Sequence, residues 1–455
     1  MSQEELTAER TEAAAPSSEL PEEFSLKART IWGSFWSLFG YGAQQALRLV
    51  SNLIITRLLF PEAFGVMALV NVFLQGLVMI SDLGLGPSII QNRRGEDPIF
   101  LRTAWTLQFL RGLVIFVLST LVAFPAARFY NEAELVYLIP VAGLTNIISG
   151  LNSMSLFVLN RRLDIARLTW IDLGSQAFGI VVTVASAWVW PSVWSLVIGS
   201  LASAFAKAAA SHLIRVGTAM WFTWEPSAAR ELFHFGRWIF ISSLFTFLIG
   251  NVDRIVLGKF MTMGDLGIYS IASFLSGAVA GALQTVSGAV LFPVYSRLAE
   301  QGAERLRSRT FQVRAALALL GLPPLFLLTL WGPWILHILY DTRYEGGGWM
   351  LQLRAGASCF GIISMTISPV LLAVGNSFRH MILLAAQSLL FIVCMFVGGY
   401  LYSVTGLLLG IGAAQVLTYP ITVMCVRRYG VWLPALDAAC FLISAAVCVV
   451  AWLLH

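Results

Sequence analysis

A polytopic, all-α membrane protein is the fold class this sequence predicts, and three observations predict it. Only 12% of the 455 residues are charged and 58% are hydrophobic, which is about half the charged fraction of a soluble chain. Apolar runs of about 20 residues recur along nearly the whole length, each long enough to cross a hydrocarbon core. A short motif also returns some six runs after it first appears. Inside lipid every backbone polar group needs an internal partner, so these runs are helices.

The elements follow in order. Met1–Glu23 carries seven glutamates and one arginine. A secretion signal is basic and then apolar, so residues 1–30 read as a disordered, acidic cytoplasmic tail. Six spans fall near 31–55, 64–89, 103–125, 135–158, 168–190 and 194–214, making a first lobe over 31–214. A basic, amphipathic linker over 215–236 contains Trp221, Phe222 and Trp224 and is expected to lie on the inner membrane surface. Six more spans fall near 237–257, 267–291, 311–332, 350–373, 381–401 and 405–426, a second lobe over 237–426. One additional helix is expected over 435–455. Arginines crowd alternate loops (Arg93 and Arg94, Arg161 and Arg162, Arg297 to Arg309, Arg427 and Arg428), whereas the opposite loops hold little beyond Arg57, Arg128, Lys259 and Arg343. That asymmetry places the N-terminus in the cytoplasm.

The motif sets the relation between the lobes. "TRLLFPEAFGVMAL" from Thr56 and "GKFMTMGDLGIYSI" from Gly258 both place a glycine (Gly65, Gly267) eight residues after a base (Arg57, Lys259). Each follows an outgoing helix and opens a returning one. An offset of six spans is even, so the copies share one topology. Such a parallel repeat puts a central cavity between two similar bundles.

Polar residues inside the spans mark where that cavity must be. Burying a charge at the bilayer centre costs at least about 2.5–3.5 kcal/mol, so such groups face a wet cavity, a partner or the interface. Gln44, Arg48 and Asn52 are four apart and share one helical face. Asn71, Gln75 and Asp82 form a stripe in the second span, Gln108 and Arg111 one in the third. Asp172 lies in the fifth span, Lys207 in the sixth, Gln284 in the eighth. Arg48, Arg111 and Lys207 are assigned to the cavity wall, with a buried ion pair as the alternative. Asp253 and Arg254 are adjacent and point about 100 degrees apart, so they do not pair with each other. Arg254 is assigned to the cavity and Asp253 to a structural partner, with Lys259 the nearest base; a purely structural clamp is the alternative. Arg354 is placed at the outer exit. Gly277–Gly281 and Gly406–Gly410 are expected to be packing sites, and the histidines, His380 included, lie at span ends as interfacial groups.

Four stretches in order, "TRLLFPEAFGVMAL", "SDLGLGPSIIQ" (Ser81–Gln91), "NVDRIVLGKF" with "LGIYSIA", and "LFPVYSRLAE" (Leu291–Glu300), resemble the polysaccharide transporter family. These are oligosaccharide flippases of the multidrug/oligosaccharidyl-lipid/polysaccharide exporter superfamily. The resemblance covers roughly residues 31–426. It implies two six-helix bundles, alternating access, and an undecaprenyl-diphosphate-linked oligosaccharide as substrate in the bacterial inner membrane. Glycosyltransferases and a polysaccharide polymerase would be its neighbours. Members carry twelve or fourteen spans, so thirteen runs leave one unmatched.

A diphosphate cargo calls for cations, and Arg48, Arg111, Lys207 and Arg254 are the candidates. Gln44, Asn52, Asn71, Gln75, Gln108, Asp172 and Gln284 are the polar lining, and Asp82, Asp172 and Asp253 the candidate acids for a coupling cation of unspecified identity. The sequence lacks GxxxxGK[ST], HExxH and GxSxG, so nothing in it marks an ATPase, a zinc protease or a serine hydrolase. The five cysteines sit in apolar stretches without CxxC spacing, which argues against a disulfide framework or metal site. No metal, resident cofactor or nucleic acid is expected; membrane lipids surround the chain. A flippase is the leading reading. A cation-coupled exporter of drugs or organic solutes would want an acidic, aromatic cavity, and a membrane enzyme of polysaccharide assembly would want longer outer loops.

Overall fold

A computed structural model describes residues 22–214, 219–288, 295 and 303–454. The acidic tail up to residue 21, residues 215–218 of the expected linker and nearly all of Leu291–Glu300 lie outside the described residues. The rest is helical, joined by short turns. The first bundle contains α1 (Glu22–Leu58), α2 (Pro61–Ile80), α3 (Leu85–Gln91), α4 (Pro98–Tyr130), α5 (Leu135–Gly150), α6 (Ser155–Arg161), α7 (Ile165–Val189) and α8 (Trp194–Leu213). The second contains α9 (Pro226–Phe260), α10 (Met263–Val286), α11 (Ala303–Leu339), α12 (Gly348–Ile367), α13 (Pro369–Ala373), α14 (Ser377–Val426) and, beyond it, α15 (Pro434–Leu453).

Among the described residues, nine stretches of helix are long and apolar enough to cross a membrane, and α5 with α6 makes a tenth, bent by 62°. α1 and α9 are also long, at 37 and 35 residues, and less apolar along their length. Two expected spans are broken rather than straight. The second stops at Ile80, where Asp82 accepts a hydrogen bond from the Gly84 amide (2.9 Å) and Gly84 takes a left-handed φ of 60°. The fourth bends between α5 and α6. The eleventh and twelfth are two arms of α14, which reverses at Tyr402 and Ser403. The arms touch backbone to backbone: a Cβ on Gly406 would strike the Gly398 carbonyl, and one on Gly410 the Cys394 carbonyl. Gly406–Gly410 is therefore a packing site. Gly277 is not, since open space surrounds it, while Gly281 packs on Tyr41.

Local chemistry sets the helix starts. Pro61 opens α2 and Pro98 opens α4, where a missing N–H costs nothing. Asp97 caps α4 by accepting from the Ile99 amide, and Thr262 caps α10 by accepting from the Asp265 amide. α9 begins at Pro226, well before the expected 237. Residues 219–225 are extended instead of helical and lie along α4. Phe222 packs on Trp105 (4.9 Å), the Arg102 guanidinium covers Trp221 (3.2 Å), and Thr103 and Thr106 accept the amides of Glu225 and Thr223. Arg94 ties this start down by donating to Asp97 and Glu225 (2.8 and 2.7 Å), which holds both carboxyls below their ordinary range.

The bundles meet through the repeated motif itself. A Cβ on Gly65 would collide with the Met263 carbonyl and one on Gly267 with the Pro61 carbonyl, so the first turns of α2 and α10 cross with their backbones in contact. Two tyrosines extend the symmetry. Tyr130, at the end of the third span, donates to the Ile255 carbonyl of α9 (3.0 Å). Tyr344, after the ninth span, donates to the Leu59 carbonyl at the end of α1 (3.0 Å). Arg343 beside it donates to the Thr56 and Arg57 carbonyls, and Lys259 to that of Phe129. Arg343 also holds the Asp341 carboxyl at about 2, so this seam stays charged at any physiological pH.

Asp253 therefore has a partner other than the expected Lys259. Its Oδ2 accepts from the buried Tyr269 hydroxyl (2.6 Å) and its Oδ1 from the Arg254 amide (2.8 Å).

α15 is anchored by a buried network that the sequence reading missed. Arg314 of α11 pairs with Asp437 in the first turn of α15, and both side chains are 2% exposed. Tyr419 donates to the other carboxylate oxygen (2.9 Å), and Arg314 also reaches Thr366 and the Val431 carbonyl.

Two outcomes are expected. Gly65→Ala and Gly267→Ala should each destabilise the purified protein by about 1–3 kcal/mol, because backbone cannot step aside, while Gly277→Ala should leave the detergent melting temperature nearly unchanged. Asp437→Ala should cost about 3–5 kcal/mol by stranding Arg314, and an Arg314→Met/Asp437→Leu double variant should melt above either single.

Candidate functional site: polar cavities in the two lobes

Three polar cavities lie within the bundles. In the first lobe α1, α7 and α8 enclose about 430 Å³ between Gln44, Arg48, Asn52, Gln176, Ser203 and Lys207. The four-residue spacing of Gln44, Arg48 and Asn52 brings all three to this wall, as their shared face requires. Among the described residues Arg48 makes no hydrogen bond or ion pair, and its side chain is exposed to the cavity. Gln176 stitches α7 to α1 by donating to the Gln44 carbonyl (3.2 Å).

A second cavity of about 360 Å³ lies next to it, between α2, α4, α5, α7 and α8. Gln108 and Arg111 line it, and so do Asp172 and Lys207, which also line the first. Lys207 Nζ meets Asp172 Oδ1 at 2.7 Å, both side chains nearly two-fifths exposed. This ion pair is the shared wall between the two cavities. Lys207 thus carries a counter-charge and is not a free cation, and Asp172 is that counter-charge. Arg111 is also engaged: it donates to Ser81 Oγ (3.1 Å) and to the Val78 carbonyl, capping the end of α2. Gln108 donates to the Ser149, Gly150 and Asn152 carbonyls and holds the bend between α5 and α6.

The second lobe holds a cavity of about 370 Å³ between α9, α10, α12 and both arms of α14. Those elements include the repeat counterparts of α1, α7 and α8. Gln284, Arg354, Ser364, His380, Gln387 and Gln415 line it. Arg354 lies in this wall and not at an exit. One terminal nitrogen donates to Ser358 Oγ (3.0 Å). Its Nε, the Ser364 Oγ and the His380 Nδ1 are buried and without partners among the described residues. His380 is therefore a lining group instead of an interfacial one. Gln387 and Gln415 carried no signal in the sequence, since lone glutamines in apolar spans read as interhelical contacts.

The remaining expected site residues fall elsewhere. Arg254 is half-buried, and Asn71 and Gln75 are exposed on α2, but none of the three lines any of these cavities. Asp82 serves the turn between α2 and α3.

Two repeated helical bundles, each with a polar interior in an apolar shell, define a multi-pass membrane protein built like a transporter. The chain matches the family model for polysaccharide biosynthesis proteins over residues 54–346, and it belongs to that family. It is 23% identical to the lipopolysaccharide biosynthesis protein WzxC of Escherichia coli, over 90% of this chain and 85% of that one. It is 24% identical to the succinoglycan biosynthesis transport protein ExoT of Rhizobium meliloti, over 75% and 68%. Its fold resembles the lipid II flippase MurJ in an inward closed conformation (TM-score 0.68, 16% identity, 93% and 92% covered). It also resembles an inward-facing multidrug resistance MATE family transporter of the MOP superfamily (TM-score 0.66, 13% identity, 85% and 95% covered).

The shared ion pair gives a direct test. Asp172→Asn or Lys207→Met alone should lower the melting temperature of the purified protein by leaving one charge unpaired. The double variant should recover part of the loss, giving a coupling of about 0.5–3 kcal/mol in a double-mutant cycle.

Proposed function

We propose that the chain is a flippase that carries an undecaprenyl-diphosphate-linked oligosaccharide across the bacterial inner membrane by alternating access, for exopolysaccharide or surface polysaccharide assembly. Its lobes are residues 31–214 and 226–426, the second starting earlier than the expected 237 because α9 begins at Pro226, and they are joined by a cytoplasmic linker and followed by the helix over 435–455. The N-terminus is cytoplasmic, which makes the Gly65–Gly267 seam the outer closure. The polymerase and glycosyltransferases are its working neighbours, and a coupling cation is compatible with the acids present.

One observation carries this reading: Arg48 is an unneutralised guanidinium on a wall of amides and hydroxyls inside a lipid-facing bundle. A diphosphate brings roughly two negative charges, whose bare transfer through a low-dielectric medium is prohibitive. Arginine meets phosphate oxygens with a two-bonded fork and never loses its charge. The polyprenyl tail stays in the bilayer while Gln44, Asn52, Gln176 and Ser203 give the head a water-like surface. Lys207 and Arg111, already engaged, contribute field without forming a closed cage, so the anion is held without being trapped. Family membership and transport relatives support the same cargo class.

Arg48→Ala should cut glycan export about tenfold or more at unchanged membrane abundance, since a charge-assisted hydrogen bond is worth about 1.5–3 kcal/mol. Arg48→Lys should restore part of it. Arg254→Ala should cost less, because Arg254 lies outside the cavity. Undiminished export from a well-expressed Arg48→Ala/Arg254→Ala variant would overturn the reading.

A further inference from the structure

The two lobes share a plan but not a chemistry. The first-lobe cavities are charged, with Arg48 and the Asp172–Lys207 pair on their walls. The second-lobe cavity has three amides, five serine and threonine hydroxyls, an imidazole and one guanidinium, and no acidic side chain among its described lining residues. It also holds more unspent hydrogen-bonding capacity than the first-lobe cavities, where Asn152 Oδ1 alone is buried without a partner among the described residues. Arg354 Nε, Ser364 Oγ and His380 Nδ1 come from two helices and face one space, and each is buried without a partner among the described residues. Buried polar groups are ordinarily satisfied, and one left unmade costs about 1–3 kcal/mol. Three in one cavity mark a surface built for something polar that enters it.

The chemistry of the wall specifies that something. Amides both donate and accept, so Gln284, Gln387 and Gln415 suit a ligand dense in hydroxyls, which also does both. Arg354 adds a single full charge and makes no ion pair among the described residues. With one terminal nitrogen committed to Ser358 and Nε buried, the other terminal nitrogen is the donor left for a carboxylate oxygen. Arg354 is one fixed cation, which a single carboxylate matches one to one. The volume of about 370 Å³ is within the range of small-ligand sites, roughly 300–1,000 Å³.

We infer that the second-lobe cavity is a sugar-recognition subsite that takes an acidic monosaccharide unit, a hexuronate, with Arg354 on its carboxylate and Gln387, Gln415, Ser364 and His380 on its hydroxyls. This rests on the transport reading and deepens it: the first lobe holds the diphosphate, and the second reads the glycan. Such a division makes the cargo bridge both bundles, so only a head group long enough to reach both engages them together.

Purified full-length protein in detergent is titrated with methyl glucuronide and with methyl glucoside, and binding is followed by saturation-transfer NMR. The glucuronide should bind about tenfold tighter than the glucoside, the worth of one charge-assisted pair. Arg354→Gln should erase that preference. Gln415→Ala, which keeps the arginine, should weaken both sugars about equally and guard against a variant that fails to fold. Equal binding of the two sugars to the wild type, no binding of either, or a preference that survives Arg354→Gln would each overturn the inference. Glycan export by cells carrying the wild-type gene is read separately. Export without glucuronide binding sinks the subsite and leaves the transport reading standing; glucuronide binding without export sinks the transport reading alone.

Discussion

A charge inside lipid has few tolerable settings, and this constraint arranges the interior. The buried Arg314 pairs with Asp437 and reaches two further oxygens, Tyr419 donates to the same carboxylate, and through them α15 is bound to the second lobe. Lys207 pairs with Asp172 and so divides two cavities. Arg111 spends its hydrogen bonds on the open end of α2. Among the described residues, two cavity-wall guanidinium groups have neither an ion pair nor a helix end to cap, Arg48 in one lobe and Arg354 in the other. Function is read from those two because the other cations already have structural work.

The seam between the lobes is built differently. The lobes share an apolar core, since Val66, Leu69, Val70 and Tyr130 of the first and Val252, Val256, Leu257 and Tyr269 of the second belong to one buried cluster. Here the closest approach is short, made by backbone at Gly65 and Gly267 and by hydrogen bonds from Tyr130, Tyr344, Arg343 and Lys259 to opposite carbonyls. Each lobe's third-span end holds the other lobe's first span. The hydrogen bonds are directional and individually modest, about 0.5–1.5 kcal/mol for a neutral pair.

The two lobes differ most in the chemistry of their cavity walls. The repeat supplies equivalent positions on α1 and α9, α7 and the first arm of α14, α8 and its second arm. At those positions one lobe carries ions and the other amides. Related transporters with the same frame differ in cargo, and a frame that encloses two separate polar interiors lets one bind the invariant part of a cargo and the other the variable part.

Much of this was legible in one sequence. Hydropathy runs determine the spans because lipid forbids unpaired backbone, and the Arg57–Gly65 and Lys259–Gly267 spacing announced the parallel repeat because both copies solve the same close-packing problem. The face shared by Gln44, Arg48 and Asn52 also followed from helical geometry alone. Tertiary structure decided what depends on a neighbour's position. Lys207 became half of an ion pair, Asp253 met Tyr269 and not Lys259, and Asp82 served a turn. Arg314, Asp437, His380, Gln387 and Gln415 left no usable mark, because a polar residue in an apolar run looks alike whether it faces a partner or a cavity. Periodicity fixes the direction in which a side chain leaves its own helix; only packing says what waits there.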